Sequence, residues 1–156
     1  MATSRVGING CGRIGRNFLR AQLQQGGDFE IVAANDLGDT TTMAHLLKHD
    51  SVLGQLDATV EAGDGFIRVG GKEITFFSEK DPAQLPWGDL GIDVALESTG
   101  HFTSREGAQK HLDAGAKKGG ISPPAAEPEP AGGLGGEERA DGPARHDIRV
   151  DRCCTT

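Results

Sequence analysis

The sequence lacks the features that mark several classes of protein. It has no apolar run near the length that crosses a bilayer, and glycine and arginine interrupt the N-terminal stretch where a signal peptide has its apolar core. It also has no Lys/Arg-rich stripe, and its formal net charge is -7, so we expect no nucleic-acid partner. These absences predict a soluble, cytoplasmic protein with no membrane segment.

Cysteine is scarce as well. The three thiols, Cys11, Cys153 and Cys154, have a spacing that fits neither a zinc site nor a disulfide framework, so we expect no metal. A chain of 156 residues is long enough for one domain with a core and too short for two.

Large aliphatic side chains become scarce after residue 118. Residues 119–145 contain seven glycines and five prolines, and their only large aliphatic residues are Ile121 and Leu134. This composition is typical of low-complexity sequence. We therefore expect residues 1–118 to form the well-ordered part of a domain, and residues 119–153 to be a degraded continuation of the same domain.

Strand and helix patterns alternate through the first part of the chain. Strands are predicted at 5–9, 30–34 and 92–96, and helices from Arg13, at 40–49 and between a capping box at 103–106 and a glycine stop at Gly115. Two further strands, at 66–69 and 73–77, flank Gly70-Gly71 as a hairpin. This order predicts an α/β fold of the Rossmann type: a doubly wound, mainly parallel sheet with an added β-hairpin.

A glycine motif, Gly10-x-Gly12-x-x-Gly15, follows the first strand and opens the first helix. Gly10 would make the tight turn, Gly12 would let the backbone approach a pyrophosphate, and Gly15 would let helix and strand pack closely. Asp36, about 20 residues on, would bind the adenosine ribose and repel a 2′-phosphate, so with Leu37 beside it the site favours NAD over NADP. The alternative is a glycine turn without a ligand, next to a solvated aspartate.

These motifs resemble the phosphorylating glyceraldehyde-3-phosphate dehydrogenases, in which position 11 is normally phenylalanine. The resemblance begins at residues 5–16 and covers the whole chain. It continues through Asn35-Asp36-Leu37, Leu47-Lys48-His49-Asp50-Ser51, Glu97-Ser98-Thr99-Gly100, Gly115-Ala116-Lys117-Lys118, Pro143-Ala144-Arg145-His146-Asp147-Ile148 and Cys154-Thr155-Thr156.

The resemblance implies which residues bind NAD. The pyrophosphate and adenosine would contact Asn9, Gly10, Gly12, Arg13, Ile14 and Asp36, and Lys80 would lie near the adenine. Ser98, Thr99 and Gly100 would allow close approach of the cofactor. Ser122 would lie near the nicotinamide half. Read without the resemblance, Lys80 is an ordinary loop charge and the stretch 98–100 is a strand-to-helix connection.

The resemblance also implies a catalytic nucleophile, Cys154, with Cys153, Cys154 and Thr155 at the substrate. A thiolate there would add to the aldehyde of glyceraldehyde 3-phosphate, and inorganic phosphate would attack the thioester that remains after oxidation. Three departures limit the chain. The general-base histidine and most of the substrate-binding groups of the family are not found in it. Around the nucleophile, Cys153 replaces a serine and Arg149-Val150-Asp151-Arg152 replaces a small uncharged run, and Gly119-Gly120 replace β-branched residues in an expected strand. We expect residues 154–156 to begin a catalytic domain that is otherwise absent, together with its general-base histidine, so the chain alone would be inactive.

The function implied is therefore that of a glycolytic oxidoreductase, cytoplasmic and, at full length, homotetrameric. Two alternatives stay open. One is the related erythrose-4-phosphate dehydrogenase, and the other is a non-catalytic fragment that binds NAD.

Overall fold

A computed structural model describes residues 3–102, 105–121 and 148–150. The predicted residues Ser122, Cys153, Cys154 and Thr155, and Thr103 of the capping box, lie outside this part. The helices are α1 (Arg13–Gln25), α2 (Thr40–Lys48) and α3 (Arg105–Asp113), with a 3₁₀ turn at Pro82–Gln84. The strands are β1 (Ser4–Asn9), β2 (Phe29–Asn35), β3 (His49–Asp50), β4 (Gly54–Gln55), β5 (Val60–Gly63), β6 (Phe66–Val69), β7 (Lys72–Phe77), β8 (Val94–Glu97), β9 (Lys118–Ile121) and β10 (Ile148–Val150).

Eight of these strands form one sheet in the order β10-β9-β8-β1-β2-β7-β6-β5. All pairings from β10 to β7 are parallel, and β6 and β5 continue the sheet antiparallel. The Rossmann-type α/β fold with an added hairpin is thereby confirmed. Strands β3 and β4 form a separate two-stranded ribbon.

The two faces of the sheet bury different cores. Ile8 packs on one face with residues of α1 and α2, including Leu19 and Leu47. On the other face, a Cβ built on Gly7 would lie 2.9 Å from the Trp87 ring, so the central strand needs a glycine there to admit the indole. Both faces are therefore covered, as in a doubly wound sheet.

The predicted stop of the third helix is confirmed. Gly115 has φ +106, and its amide donates to Leu112 O while the Ala116 amide donates to His111 O. These two bonds form a Schellman motif, which satisfies carbonyls at the end of α3.

Strand β9 forms in spite of Gly119-Gly120. Gly119 pairs with Ala95 of β8, and Gly120 pairs with Leu96. The parallel ladder uses backbone groups alone, so the glycines leave it intact. No helix within the described residues is long and apolar enough to cross a membrane.

Candidate functional site

The strand order reverses between β1 and β8. From β1 the chain moves to β2 on one side, and it later returns to β8 on the other side of β1. The carboxyl ends of two parallel strands with diverging connections leave a crevice between them, and such crevices bind ligands in doubly wound folds. The glycine loop follows β1 and the loop 98–100 follows β8, so both predicted cofactor loops lie at this crevice.

The three motif glycines differ in their backbone conformation and in the space available for a side chain. Gly10 has φ +95, and a Cβ there would lie 2.7 Å from the Thr99 backbone nitrogen. A Cβ on Gly15 would lie 2.2 Å from Gly10 O. Gly12 has an ordinary φ of -67, and a Cβ built on it would meet nothing within 4 Å in the part of the chain that the structure describes. Gly10 and Gly15 are thus required by packing, whereas Gly12 borders open space.

The first turn of α1 lacks the usual stabilising side chains. Gly12 is its N-cap, no side chain of the described residues caps it by a hydrogen bond, and no acidic residue lies in its first turn. By contrast, Asp39 caps α2 by accepting from the Thr42 amide over 2.8 Å. The amides of Arg13 and Ile14 therefore lie at a helix N-terminus whose positive dipole end has neither a capping side chain among the described residues nor an acidic residue in its own first turn.

Asp36 holds the glycine loop in place. Its Oδ2 accepts from the Cys11 amide over 2.8 Å, and its Oδ1 accepts from the Gly38 amide over 3.0 Å. Leu37 beside it is 62% exposed. The carboxylate is half-buried at the edge of the crevice and keeps acceptor capacity, because an ionised carboxylate has about four lone-pair sites.

Cys11 lies within the glycine motif, and its thiol is unsuited to nucleophilic attack. Burial, with a further contribution from the Asp36 carboxylate, raises the pKa of its thiol to about 12. The thiol is therefore protonated at neutral pH and does not act as a nucleophile.

The loop 98–100 is tied directly to the glycine loop. The Ser98 amide donates to Asn9 O over 2.8 Å, and Ser98 Oγ donates to Gly10 O over 2.7 Å. Gly100 has φ +78 and is exposed, and a Cβ built on it would lie more than 4 Å from the other described residues. The structure thus brings together residues from two distant segments that the sequence predicts for one site.

The predicted residues Asn9 and Lys80 occupy different surroundings. Asn9 is 2% exposed, donates to Glu97 Oε2 over 2.7 Å and accepts from Asn35 over 2.7 Å, so its side chain is engaged inside the sheet. Lys80 is exposed beside Glu79, whose backbone makes two hydrogen bonds with the Asn35 amide. A direct contact of either side chain with NAD stays a prediction.

Sequence reasoning missed the ion pair beside the glycine loop. Arg13 Nη1 lies 3.2 Å from both carboxylate oxygens of Asp50. The Leu53 and Val52 amides and then Arg13 lower the pKa of Asp50 to about 2. The Arg13 side chain is therefore turned toward the turn between β3 and β4. Arg13 and Asp50 are 37 residues apart in sequence, so no local pattern marks them as an ion pair.

The chain is similar in sequence to a known family and to several bacterial proteins. The sequence family described as glyceraldehyde 3-phosphate dehydrogenase, NAD binding domain, matches residues 4–105. The chain is 53% identical to glyceraldehyde-3-phosphate dehydrogenase 2 of Streptomyces avermitilis over 154 residues, which are 99% of this chain and 46% of that protein. Glyceraldehyde-3-phosphate dehydrogenase of Streptomyces coelicolor is 52% identical over the same shares.

A relative from a different bacterial genus gives a similar result. Glyceraldehyde-3-phosphate dehydrogenase of Geobacillus stearothermophilus is 50% identical over 97% of this chain and 45% of its own length. The chain therefore spans about half the length of the curated relatives it matches.

Proposed function

Because the chain belongs to the glyceraldehyde-3-phosphate dehydrogenase family, we propose that NAD binds at the carboxyl ends of β1 and β8. The pyrophosphate would lie against Gly12 and the amides of Arg13 and Ile14. The adenosine would extend toward Asp36 and Lys80, and the nicotinamide half toward the loop 98–100 and Ser122. The described residues among these come from four connections at one edge of the sheet.

Gly12 is the observation that carries this assignment. Its φ suits any residue and its surroundings leave room for a side chain, so the described part of the chain gives no reason for a glycine. A ligand that approaches the backbone supplies the reason, and the uncapped start of α1 favours an anionic one. The residues present therefore fit a dinucleotide pyrophosphate.

Asp36 would select NAD over NADP. Its two oxygens each accept one backbone amide, which leaves acceptor sites for ribose hydroxyls. The same charge would repel a 2′-phosphate, and the neighbouring Leu37 offers no compensating cation.

Bound NAD supplies the hydride acceptor for an oxidation. The contribution of the described residues is to bind and orient it, since the buried Cys11 thiol is unsuited to attack.

We propose Cys154 as the nucleophile that adds to the aldehyde of glyceraldehyde 3-phosphate, with Cys153 and Thr155 near the substrate and inorganic phosphate as the acceptor of the acyl group. The relatives are glyceraldehyde-3-phosphate dehydrogenases, which favours this substrate over erythrose 4-phosphate. A cytoplasmic location and, for the whole protein, a homotetramer without a nucleic-acid partner complete the proposal.

Calorimetric titration with NAD and with NADP tests the cofactor site. We expect NAD to bind at least about 10-fold more tightly than NADP, and Asp36→Ala to remove most of that preference. Asp57→Ala, which changes an exposed acid away from the crevice, serves as the matched control. Equal binding of the two dinucleotides by the wild-type chain would contradict the role of Asp36.

An assay of aldehyde- and phosphate-dependent NADH formation distinguishes the enzyme from the non-catalytic alternative. Formation of NADH that Cys154→Ser abolishes supports the proposed nucleophile in this chain. Binding of NAD without turnover supports the alternative of a dinucleotide-binding unit.

A further inference from the structure

A buried chain of hydrogen bonds crosses the sheet just beneath the crevice. We call it the Glu97 network; it consists of Trp87, His111, Glu97, Asn9 and Asn35. Trp87 and His111 are each 0% exposed and Glu97 is 1% exposed. The Glu97 network links helix α3 to the carboxyl ends of β8, β1 and β2, which are the strands that carry the cofactor loops.

The protonation of His111 follows from its partners. An indole N–H only donates, and Trp87 Nε1 lies 2.9 Å from His111 Nδ1, so Nδ1 accepts. The proton of the neutral ring is therefore on Nε2, which lies 2.7 Å from Glu97 Oε2 and donates to it. The lone tryptophan of the chain thus fixes the tautomer that faces Glu97.

Both carboxylate oxygens of Glu97 accept two hydrogen bonds each. Oε2 accepts from His111 and from Asn9 Nδ2 over 2.7 Å, while Oε1 accepts from the Thr99 amide over 2.9 Å and from Thr99 Oγ1. These donors use all of the roughly four acceptor sites of an ionised carboxylate. Burial raises the pKa of Glu97, but the bonds from His111, Thr99 and Asn9 outweigh it, and the pKa lies below its usual value.

The carboxylate determines where two loops lie. It holds the backbone and the side chain of Thr99, and the backbone of Thr99 is so close to Gly10 that a Cβ on Gly10 would meet it at 2.7 Å. Ser98 then ties the same segment to Gly10 O. A displacement of Glu97 therefore moves the loop 98–100 and the glycine loop together.

We propose that Glu97 and His111 are positioning residues for the dinucleotide: the charged carboxylate of Glu97 fixes the loop 98–100 against the glycine loop, and the Nε2–H tautomer of His111 holds Glu97 in that place. Neither side chain touches the cofactor. The inference rests on the proposed NAD site and adds to it the buried pair that sets its shape. A merely structural pair would stabilise the fold without changing the NAD affinity of the folded chain.

Glu97→Gln tests the charge. An amide of the same shape must turn its NH₂ toward at least one of the N–H donors of His111, Asn9 or Thr99, so the loop has to shift. We expect NAD affinity of the folded variant to fall by about 10-fold or more, measured by calorimetry at a temperature where circular dichroism shows native structure. Glu106→Gln, on the exposed surface of α3, is the matched control and should bind as wild type does.

His111→Gln and His111→Ala test the tautomer. A glutamine amide supplies an acceptor toward Trp87 and a donor toward Glu97, which is the pattern of the neutral ring. We expect His111→Ala to lose about 10-fold in NAD affinity and His111→Gln to recover most of that loss. A role that depends only on filling volume would not separate the two variants in this way.

The outcomes separate this inference from the proposed function. If the wild-type chain fails to bind NAD, both are contradicted; if it binds and folded Glu97→Gln binds within about twofold of Glu106→Gln, this inference alone is overturned. Should Glu97→Gln not fold, the comparison of His111→Ala with His111→Gln decides, because neither change alters a residue predicted to contact NAD. Higher NAD affinity of His111→Gln than of His111→Ala supports the inference, and equal affinity of the two folded variants overturns it.

Discussion

The backbone amide of Cys11 donates to Asp36 Oδ2 over 2.8 Å. The acid that follows β2 therefore fixes the loop that follows β1, in addition to the contact with ribose proposed for it. A substitution of Asp36 consequently affects both the loop and the ligand, and its effect on NAD affinity has to be compared with a measured change in stability.

The motif glycines should respond differently to alanine. Gly15→Ala would place a methyl group 2.2 Å from Gly10 O, so we expect a loss of roughly 2–4 kcal/mol in the free energy of unfolding. In Gly12→Ala the methyl group would lie more than 4 Å from the other described residues, so only the N-cap preference for glycine opposes it and the change should be no more than about 1 kcal/mol. Urea unfolding of both variants measures the difference, and equal losses would contradict the assigned roles.

Cys11 borders a cavity that a larger side chain should fill. The cavity measures about 30 Å³ and is walled by apolar residues that include Ile8, Leu19 and Phe76. Cys11→Phe should therefore raise the melting temperature by about 2–6 °C, a gain typical of cavity filling. Calorimetric melting tests this, with Cys11→Ala expected to lower the melting temperature. A lower value for Cys11→Phe would show that the cavity walls do not accommodate the ring.

Arg20 is a buried cation that joins three segments. It is 2% exposed, and its guanidinium donates to the carbonyls of Leu47, Lys48 and Gly54. Arg20→Leu leaves these acceptors without their donor, so we expect a loss of roughly 3 kcal/mol or more in urea unfolding. Arg68→Leu, which breaks exposed ion pairs in the hairpin, should cost no more than about 1 kcal/mol. Similar losses for both variants would contradict the structural role of Arg20.

The Asp50 carboxylate should make stability depend on pH in the acid range. Its pKa is lowered from 3.8 to about 2, so folding favours the ionised form. The stabilisation is fully present above the pKa of the unfolded chain and is lost as pH falls from about 4 to about 2. Asp50→Asn should therefore melt below wild type at pH 7, and the two curves should converge near the acid end. If the melting temperatures of Asp50→Asn and wild type differed by the same amount at pH 7 and at a pH of about 2, the ionised Asp50 carboxylate would not be the cause.

Local features of the fold could be predicted from the sequence because their signals lie within a few residues. Gly70 and Gly71 have φ +58 and +84, as the turn between β6 and β7 requires, and Gly115 ends α3 where the sequence places a stop. Strand β5 escaped prediction because it offers only Val60 as a large aliphatic residue, followed by exposed Glu61 and Ala62.

Long-range features could not be predicted in this way. Asn9 and Glu97 are 88 residues apart, and His111 lies on a helix where nothing in the local pattern marks it as a partner of Glu97. The effect of Gly119-Gly120 on strand β9 can also be predicted only in part from the sequence. A Cβ on Gly120 would lie 3.9 Å from Leu96 Cδ1, so the strand has room for a side chain while its backbone ladder is complete.

A calorimetric titration of NAD into the wild-type chain and into Gly12→Val tests the dinucleotide site most directly. The Gly12 position has an ordinary φ and, among the described residues, open surroundings, so the variant should keep a native circular dichroism spectrum with at most a small loss in melting temperature from the N-cap. We expect the wild-type chain to bind NAD and Gly12→Val to lose at least about 10-fold in affinity, because the side chain occupies the space that the pyrophosphate needs. Unchanged NAD affinity in a folded Gly12→Val variant would contradict the site.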